Sequence, residues 1–251
     1  MNNWRLIISE GDGSWNMAVD EALLDLRGEG LIPSTVRLYV FKPSCVTIGY
    51  FQRIADTVNL DVTAKLGIDV IRRPTGGGAV FHDSRGEVTY SLVASLDEIP
   101  ENVEESYRFI CRGVVEALKG LGLEAEFVPV NDIVVNGRKI SGSAQLRRKN
   151  AVLQHGTLMY ATRLNVLAAV LKARKEKLAS HGVSSIADRV TTVSRELGRS
   201  VVKEEVIQAL WKGFEKALNK RLTPASLTKL ELEKARSLLP KYRSREWLFK
   251  R

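Results

Sequence analysis

With 251 residues, 44% of them hydrophobic and 27% charged, the chain has the composition of a soluble globular protein, which excludes disordered, collagen-like and coiled-coil classes. The length suits one large domain, or else two of about 125 residues. A net charge of +9, from 38 Lys and Arg against 29 Asp and Glu, implies an anionic partner, while two cysteines, Cys45 and Cys111, exclude a disulfide framework or a four-cysteine metal site and suit a cytoplasmic setting.

The first half is rich in predicted strands. Arg5–Ile8 is a short apolar strand, and Ser14 then caps a helix with Ala18, Val19, Ala22, Leu23 and Leu26 on one face. Val36–Phe41, Val46–Tyr50, Val70–Arg72 and Val88–Ala94 follow as strands rich in β-branched and aromatic residues. A helix is predicted from Val103 to Leu121, with Gly122 ending it. Asp132–Val135 and Arg138–Ser141 flank Asn136-Gly137, the strongest signal for a type I′ hairpin. A second hairpin is expected from Ala144-Gln145 to Ala151–Gln154 across the basic turn Arg147–Asn150, and helices dominate from Leu164 onward. This order predicts an α+β fold in one domain, 1–251, with helices covering one side of a mixed or antiparallel sheet. No apolar run approaches the roughly 20 residues needed to cross a bilayer, and the N-terminus has no signal-peptide pattern.

Three segments carry chemistry. In Arg72-Arg73-Pro74-Thr75-Gly76-Gly77-Gly78-Ala79-Val80-Phe81-His82-Asp83, three glycines let backbone amides approach an anion, and the arginine forks suit phosphate or carboxylate oxygens. It is neither a Walker A loop nor a Rossmann turn. In the second segment, Asn131–Gln145, Lys139 follows the hairpin turn and leads into the small residues Ser141-Gly142-Ser143-Ala144; a single lysine there also reads as merely solvated. The third, Gln154-His155-Gly156-Thr157-Leu158, sets a histidine beside a glycine. His82 and His155, two of three histidines, read equally as pocket-lining or as hydrogen-bonded structural groups.

In this order and spacing, the three segments resemble the signature blocks of the lipoate-protein ligase A family, in the wider biotin/lipoate ligase superfamily. Asn16–Leu24, Val46–Gln52, Lys177–Val193 and Arg245-Glu246-Trp247 extend the resemblance over nearly the whole chain. It implies the class II synthetase-like catalytic fold of that superfamily. It also implies a reaction: lipoate is activated with ATP and Mg²⁺ to lipoyl-AMP, and the lipoyl group passes to a lysine of a lipoyl domain in a 2-oxoacid dehydrogenase E2 subunit, or of the glycine-cleavage H protein. Lys139 takes the catalytic role, contacting the lipoyl carboxyl and the α-phosphate. Substrate and ATP contacts fall to Arg72, Arg73, Thr75, Gly76, Gly77, Gly78, Ala79, Val80, Phe81 and His82 in the first block. Asn131, Asp132, Ser141, Gly142 and Ala144 follow in the second, and His155 and Gly156 in the third; Asp132 is the candidate Mg²⁺ ligand. Val46, Ile48, Tyr50 and Ile140 are expected to line the acyl tunnel.

Related octanoyltransferases and lipoyl amidotransferases work through a cysteine thioester. In the amidotransferase-like relatives that cysteine lies just before the lysine hairpin, where Ala125–Asn131 here has none, so ATP-dependent activation is the leading expectation and thioester transfer the alternative. Many family members continue into a small accessory domain after a Glu-Trp-Asn segment. This sequence has Leu248 at the Asn position and stops four residues after Trp247, which raises the expectation of a separate small subunit. Nucleic acid is disfavoured as a partner, because aromatic residues do not interleave with the basic clusters.

Overall fold

The computed structural model describes residues 4–172 and 186–250. Strand β1 (Trp4–Gly11) leads into α1 (Gly13–Gly28) and β2 (Thr35–Phe41); β3 (Cys45–Ile48), α2 (Ile54–Thr57), α3 (Leu60–Lys65), β4 (Asp69–Arg72) and β5 (Val80–His82) follow. Then come β6 (Glu87–Ser95), α4 (Val103–Gly120), β7 (Glu126–Val128), β8 (Asp132–Val135), β9 (Arg138–Arg148) and β10 (Ala151–Met159). The remainder is α5 (Leu164–Val170), α6 (Ile186–Arg189), α7 (Val193–Leu197), α8 (Lys203–Leu218), β11 (Leu222–Pro224), α9 (Lys229–Arg243) and α10 (Arg245–Leu248).

Among the described residues an eight-stranded mixed sheet has the order β11-β1-β2-β6-β10-β9-β8-β7, and a three-stranded sheet has the order β4-β3-β5. The fold is α+β as expected, but helices cover both faces of the large sheet rather than one. The reason is visible in β6, which is buried almost throughout. Val88, Tyr90, Leu92 and Ala94 face a core with Ile110 and Val114 of α4 and Leu210 and Phe214 of α8. Val93, on the other side, joins Leu153 of β10 in a second core under Val19 and Leu23 of α1 and Ala235 of α9. A strand apolar on both sides needs cover on both sides.

On this second face the same strands turn polar further along, at Ser91, Thr89 and Glu87 of β6 and at His155 and Thr157 of β10. The small sheet and its glycine loop lie over that half.

Helix α1 is capped by Asp12, whose carboxylate accepts from Trp15 N at 2.7 Å, and not by Ser14, whose hydroxyl donates instead to Tyr242 O. The Asn136-Gly137 turn has φ of 50° and 72°, both positive as a type I′ turn requires. Strands β5, β7 and β11 went unread because three residues are too few to display an alternation. The Lys177–Val193 block lies outside the described residues up to residue 185. No described helix is long and apolar enough to cross a membrane.

Candidate active site

A cleft of about 710 Å³ lies between the polar half of the large sheet and the small sheet. Its roof is the glycine loop, and the loop is built around Arg73. This buried guanidinium meets five acceptors with its five N–H groups. Nε donates to Thr75 Oγ1 (3.1 Å), Nη1 to Thr47 O and Oγ1 (3.4 and 3.2 Å), and Nη2 to Gly76 O (2.5 Å) and Gly78 O (2.7 Å). Gly77, between those two carbonyls, has φ of +88°, and a Cβ there would sit 2.9 Å from Arg73 Nη2, so the fold requires glycine. Burial pulls the Arg73 pKa down to about 10, which leaves it charged at neutral pH.

Two parallel relays run outward from Arg73. Thr75 Oγ1 lies 2.7 Å from His155 Nε2, and His155 Nδ1 lies 3.0 Å from Asp20 Oδ2. Thr47 Oγ1 lies 2.9 Å from His82 Nε2, and His82 Nδ1 lies 2.7 Å from Glu87 Oε1. Because the arginine can only donate and the carboxylates only accept, each hydroxyl donates to Nε2 and each histidine carries its proton on Nδ1. Each imidazole thereby has both nitrogens committed to protein partners. Burial lowers the His155 pKa from its ordinary 6.5, outweighing the hydrogen bond to Asp20. Asp20, fully buried, also accepts from Tyr39 OH and Ser91 Oγ at 2.8 Å and pairs with buried Arg37 at 3.1 Å. Burial pushes its pKa up, but the His155 hydrogen bond and the Arg37 charge prevail and hold it below the usual carboxylate range.

The opposite wall comes from the β8–β9 hairpin. A bulge interrupts its register: Asp132 opposes Gly142, and Val134 opposes Lys139, so β9 carries one extra residue. That extra residue puts Lys139 and Gly142, three apart in sequence, on one face with Asp132. The Lys139 ammonium lies 2.5 Å from Asp132 Oδ1 and fills the space over Gly142, where a Cβ would meet it at 2.5 Å. Asn131 secures the strand, donating from Nδ2 to Ser143 O and accepting at its carbonyl from Ser143 N (2.9 Å).

Most sequence-derived candidates therefore meet. Arg73, Gly77, Gly78, Ala79, Val80, Phe81, His82, Asn131, Asp132, Lys139, Gly142, Ala144, His155 and Gly156 all line the cleft. Arg72, Thr75, Gly76 and Ser141 do not. Arg72 points away and is surrounded by main-chain carbonyls, Thr75 and Ser141 are buried behind the lining, and Arg73 has no donor left for a ligand. Val46, Ile48 and Ile140 lie in hydrophobic cores, and Tyr50 packs on Trp247; the apolar lining comes instead from Met17, Tyr39, Phe41, Phe81 and Met159. Phe81 was among the sequence-derived candidates; Met17, Tyr39, Phe41 and Met159, with Asp20, Thr47 and Glu87, were missed because they sit on strands or helix turns whose local pattern reads as plain core. The polar exceptions Asp20 and Glu87 inside apolar runs were the available signal.

Both cysteines are buried outside the cleft lining, and burial pushes both thiols up. No group of three His, Cys, Asp or Glu side chains suited to a metal occurs among the described residues.

Comparison with known proteins bears on the family and the fold. Residues 12–215 match the family described as the lipoyl protein ligase A/B catalytic domain. Curated relatives include the octanoyltransferases LipM of Geobacillus kaustophilus (38% identity, 99% of this chain and 98% of that protein) and Brevibacillus brevis (35%, 100% of both). Similar solved structures include the bi-partite lipoate protein ligase of Thermoplasma acidophilum (TM-score 0.85, 33% identity, 99% of this chain and 97% of that one). A lipoate-protein ligase A bound with ATP is equally near (TM-score 0.86, 33% identity, 98% of both chains). The chain belongs to the lipoyl protein ligase A/B catalytic-domain family.

Proposed function

We propose that this chain attaches an eight-carbon acyl group, lipoyl or octanoyl, to the ε-amine of a lysine on a lipoyl domain or glycine-cleavage H protein, and that it activates the acid with ATP. The observation that carries the choice of activation is the pairing of a cationic Lys139 with a cleft that holds no thiol. A carboxylate oxygen attacks the α-phosphorus, and the bond to pyrophosphate breaks. The acceptor amine then attacks the acyl carbon, AMP leaves, and one proton is released. Negative charge gathers on phosphate oxygens in both steps, where a fixed ammonium is most effective. The histidines, with both nitrogens engaged, hold the loop and do not act as bases.

Asp132, the carboxylate paired with the lysine, fits Mg²⁺, which takes one or two protein carboxylates and otherwise phosphates and water. Bound there, the ion would offset triphosphate charge. Asp132 meanwhile holds the Lys139 ammonium.

The curated relatives favour a second reading, octanoyl transfer from an acyl carrier protein, since both named above are octanoyltransferases and match nearly the full chain. In a thioester mechanism that reading lacks its nucleophile here: Cys45 and Cys111 are the chain's only cysteines, and both are buried. A direct transfer from the carrier thioester to the acceptor amine would need none. The test is mass spectrometry of an acceptor domain incubated with the chain and one of three donors: lipoate with ATP and Mg²⁺, octanoyl-carrier protein, or lipoyl-AMP. Each arm runs with and without a small accessory subunit, because the Thermoplasma neighbour is described as bi-partite. Modification from lipoate with ATP and Mg²⁺ supports the proposal, and modification from lipoyl-AMP supports its transfer step. Modification from octanoyl-carrier protein alone replaces it with the second reading.

A further inference from the structure

Arg72 and Trp247 form a link between the cleft rim and the C-terminal helices that no ligand contact explains. The Arg72 guanidinium is buried among main-chain oxygens. Nη1 donates to Gly49 O (3.1 Å), Tyr50 O (2.8 Å) and Gln52 O (2.8 Å). Nε donates to Trp247 O (3.0 Å) and Leu248 O (3.1 Å), and Nη2 to Leu248 O (2.8 Å). The Trp247 indole returns a bond from Nε1 to Arg72 O (2.8 Å). One side chain thus ties five carbonyls from two segments 195 or more positions apart in the chain, Gly49–Gln52 and Trp247-Leu248.

The first of these segments matters to the cleft. Phe51, Gln52 and Arg53 line its mouth. Their backbone is held from the cleft side by Tyr50 N donating to Thr75 O (2.8 Å), and Gly49 packs so closely on Gly77 O that a Cβ would meet it at 2.2 Å. From the other side Arg72 holds the Gly49, Tyr50 and Gln52 carbonyls, and Trp247 in turn holds the Arg72 carbonyl. The second segment is firmly based. The Trp247 ring packs on Tyr50 and Tyr242 with centroids 5.6 and 6.0 Å away, and the Lys241 ammonium stands 4.1 Å from it. Lys241 in turn pairs at 2.6 Å with Glu21 of α1. The hydrogen bonds are to a charged donor in a dry setting, where each is stronger than its exposed counterpart.

We propose that Arg72 and Trp247 are positioning residues: they brace the Gly49–Arg53 rim against the C-terminal helices and so set the affinity of the cleft for its acyl ligand without touching it. This rests on the cleft being the acyl site.

Two variants test it, Arg72→Lys, which keeps the charge but cannot reach five carbonyls, and Trp247→Phe, which keeps a ring but loses the indole N–H. Amide hydrogen exchange and steady-state acyl transfer are measured on the full chain at a temperature where circular dichroism remains native. Exchange at the Tyr50 and Gln52 amides should rise about tenfold with β6 and β10 unaffected, and KM for the acyl donor should rise about tenfold with kcat within about twofold. Unchanged exchange at Tyr50 and Gln52 in both variants overturns the brace. Faster exchange with unchanged KM overturns its effect on the ligand. Should Arg72→Lys fail to fold, Trp247→Phe decides alone. If the unaltered chain uses no acyl donor at all, the acyl reading of the cleft fails, and the exchange measurement still decides the brace.

Discussion

Replacing Asp20 with Asn removes one charge and almost no volume from a fully buried polar group, so the consequence can be worked from its contacts. Asp20 Oδ1 receives Arg37 Nη1 and Ser91 Oγ, and Oδ2 receives Tyr39 OH and His155 Nδ1. An amide can accept on one side only, so two donors lose their acceptor and Arg37, fully buried, loses its counter-charge. Breaking one half of a buried pair costs about 3–5 kcal/mol. At about 2–4 °C per kcal/mol for a chain of this size, Tm should fall by roughly 6–20 °C. The same relay gives the unaltered protein an acid limit. His155 has a folded pKa below 6.5, so as pH falls through 6.5 the unfolded chain takes up a proton that the folded chain refuses; the stabilisation present above that pH is then lost. Asp20, with its folded pKa depressed below 3.8, adds stability that is present above that value and lost as pH drops further. Thermal melts followed by circular dichroism from pH 8 down to about 2 measure both effects. A Tm drop of under about 3 °C for Asp20→Asn, or a wild-type Tm flat from pH 7 to 5, would refute the relay as a load-carrying element of the fold.

Three further variants separate catalysis from architecture. Lys139→Ala should lower acyl transfer by a factor on the order of 10²–10³ from every donor while Tm moves by less than about 2 °C, because a partly exposed ion pair contributes little to stability. Gly142→Ala places a methyl 2.5 Å from the Lys139 ammonium, the far end of a flexible side chain; it should fold normally yet reduce kcat/KM by about tenfold or more, and unaltered kinetics would show that the lysine works from elsewhere. The Cys45→Ala, Cys111→Ala double variant should keep transfer from lipoate and ATP within about twofold, at a stability loss of roughly 1–2 kcal/mol from two small cavities. Abolished transfer in a folded double variant points to a thioester after all.

The blocks that bring the site together were legible in the sequence because each is short and chemically loaded. Gly76-Gly77-Gly78, Lys139 beside an Asn-Gly turn, and His155-Gly156 all reach the cleft or its loop. Roles were harder to read than places. Arg72 and Arg73 look alike in a string, two adjacent donors before a glycine run, yet adjacent strand residues face opposite ways. One closes the loop around its own carbonyls, and the other reaches a segment 175 residues later. Sequence states how many donors a guanidinium has, not which acceptors the fold will offer it, and a buried arginine that meets five protein oxygens is no longer a ligand clamp. The bulge at Lys139 makes the same point from the other direction. Counted by strict alternation, Lys139 and Gly142 belong on opposite faces, and only the one-residue slip seen in the β8–β9 register puts the lysine over the glycine and beside Asp132. The chemistry of this site therefore depends on a register irregularity and on the filled hydrogen-bond capacity of two arginines, both properties of the paired chain and neither of any single segment.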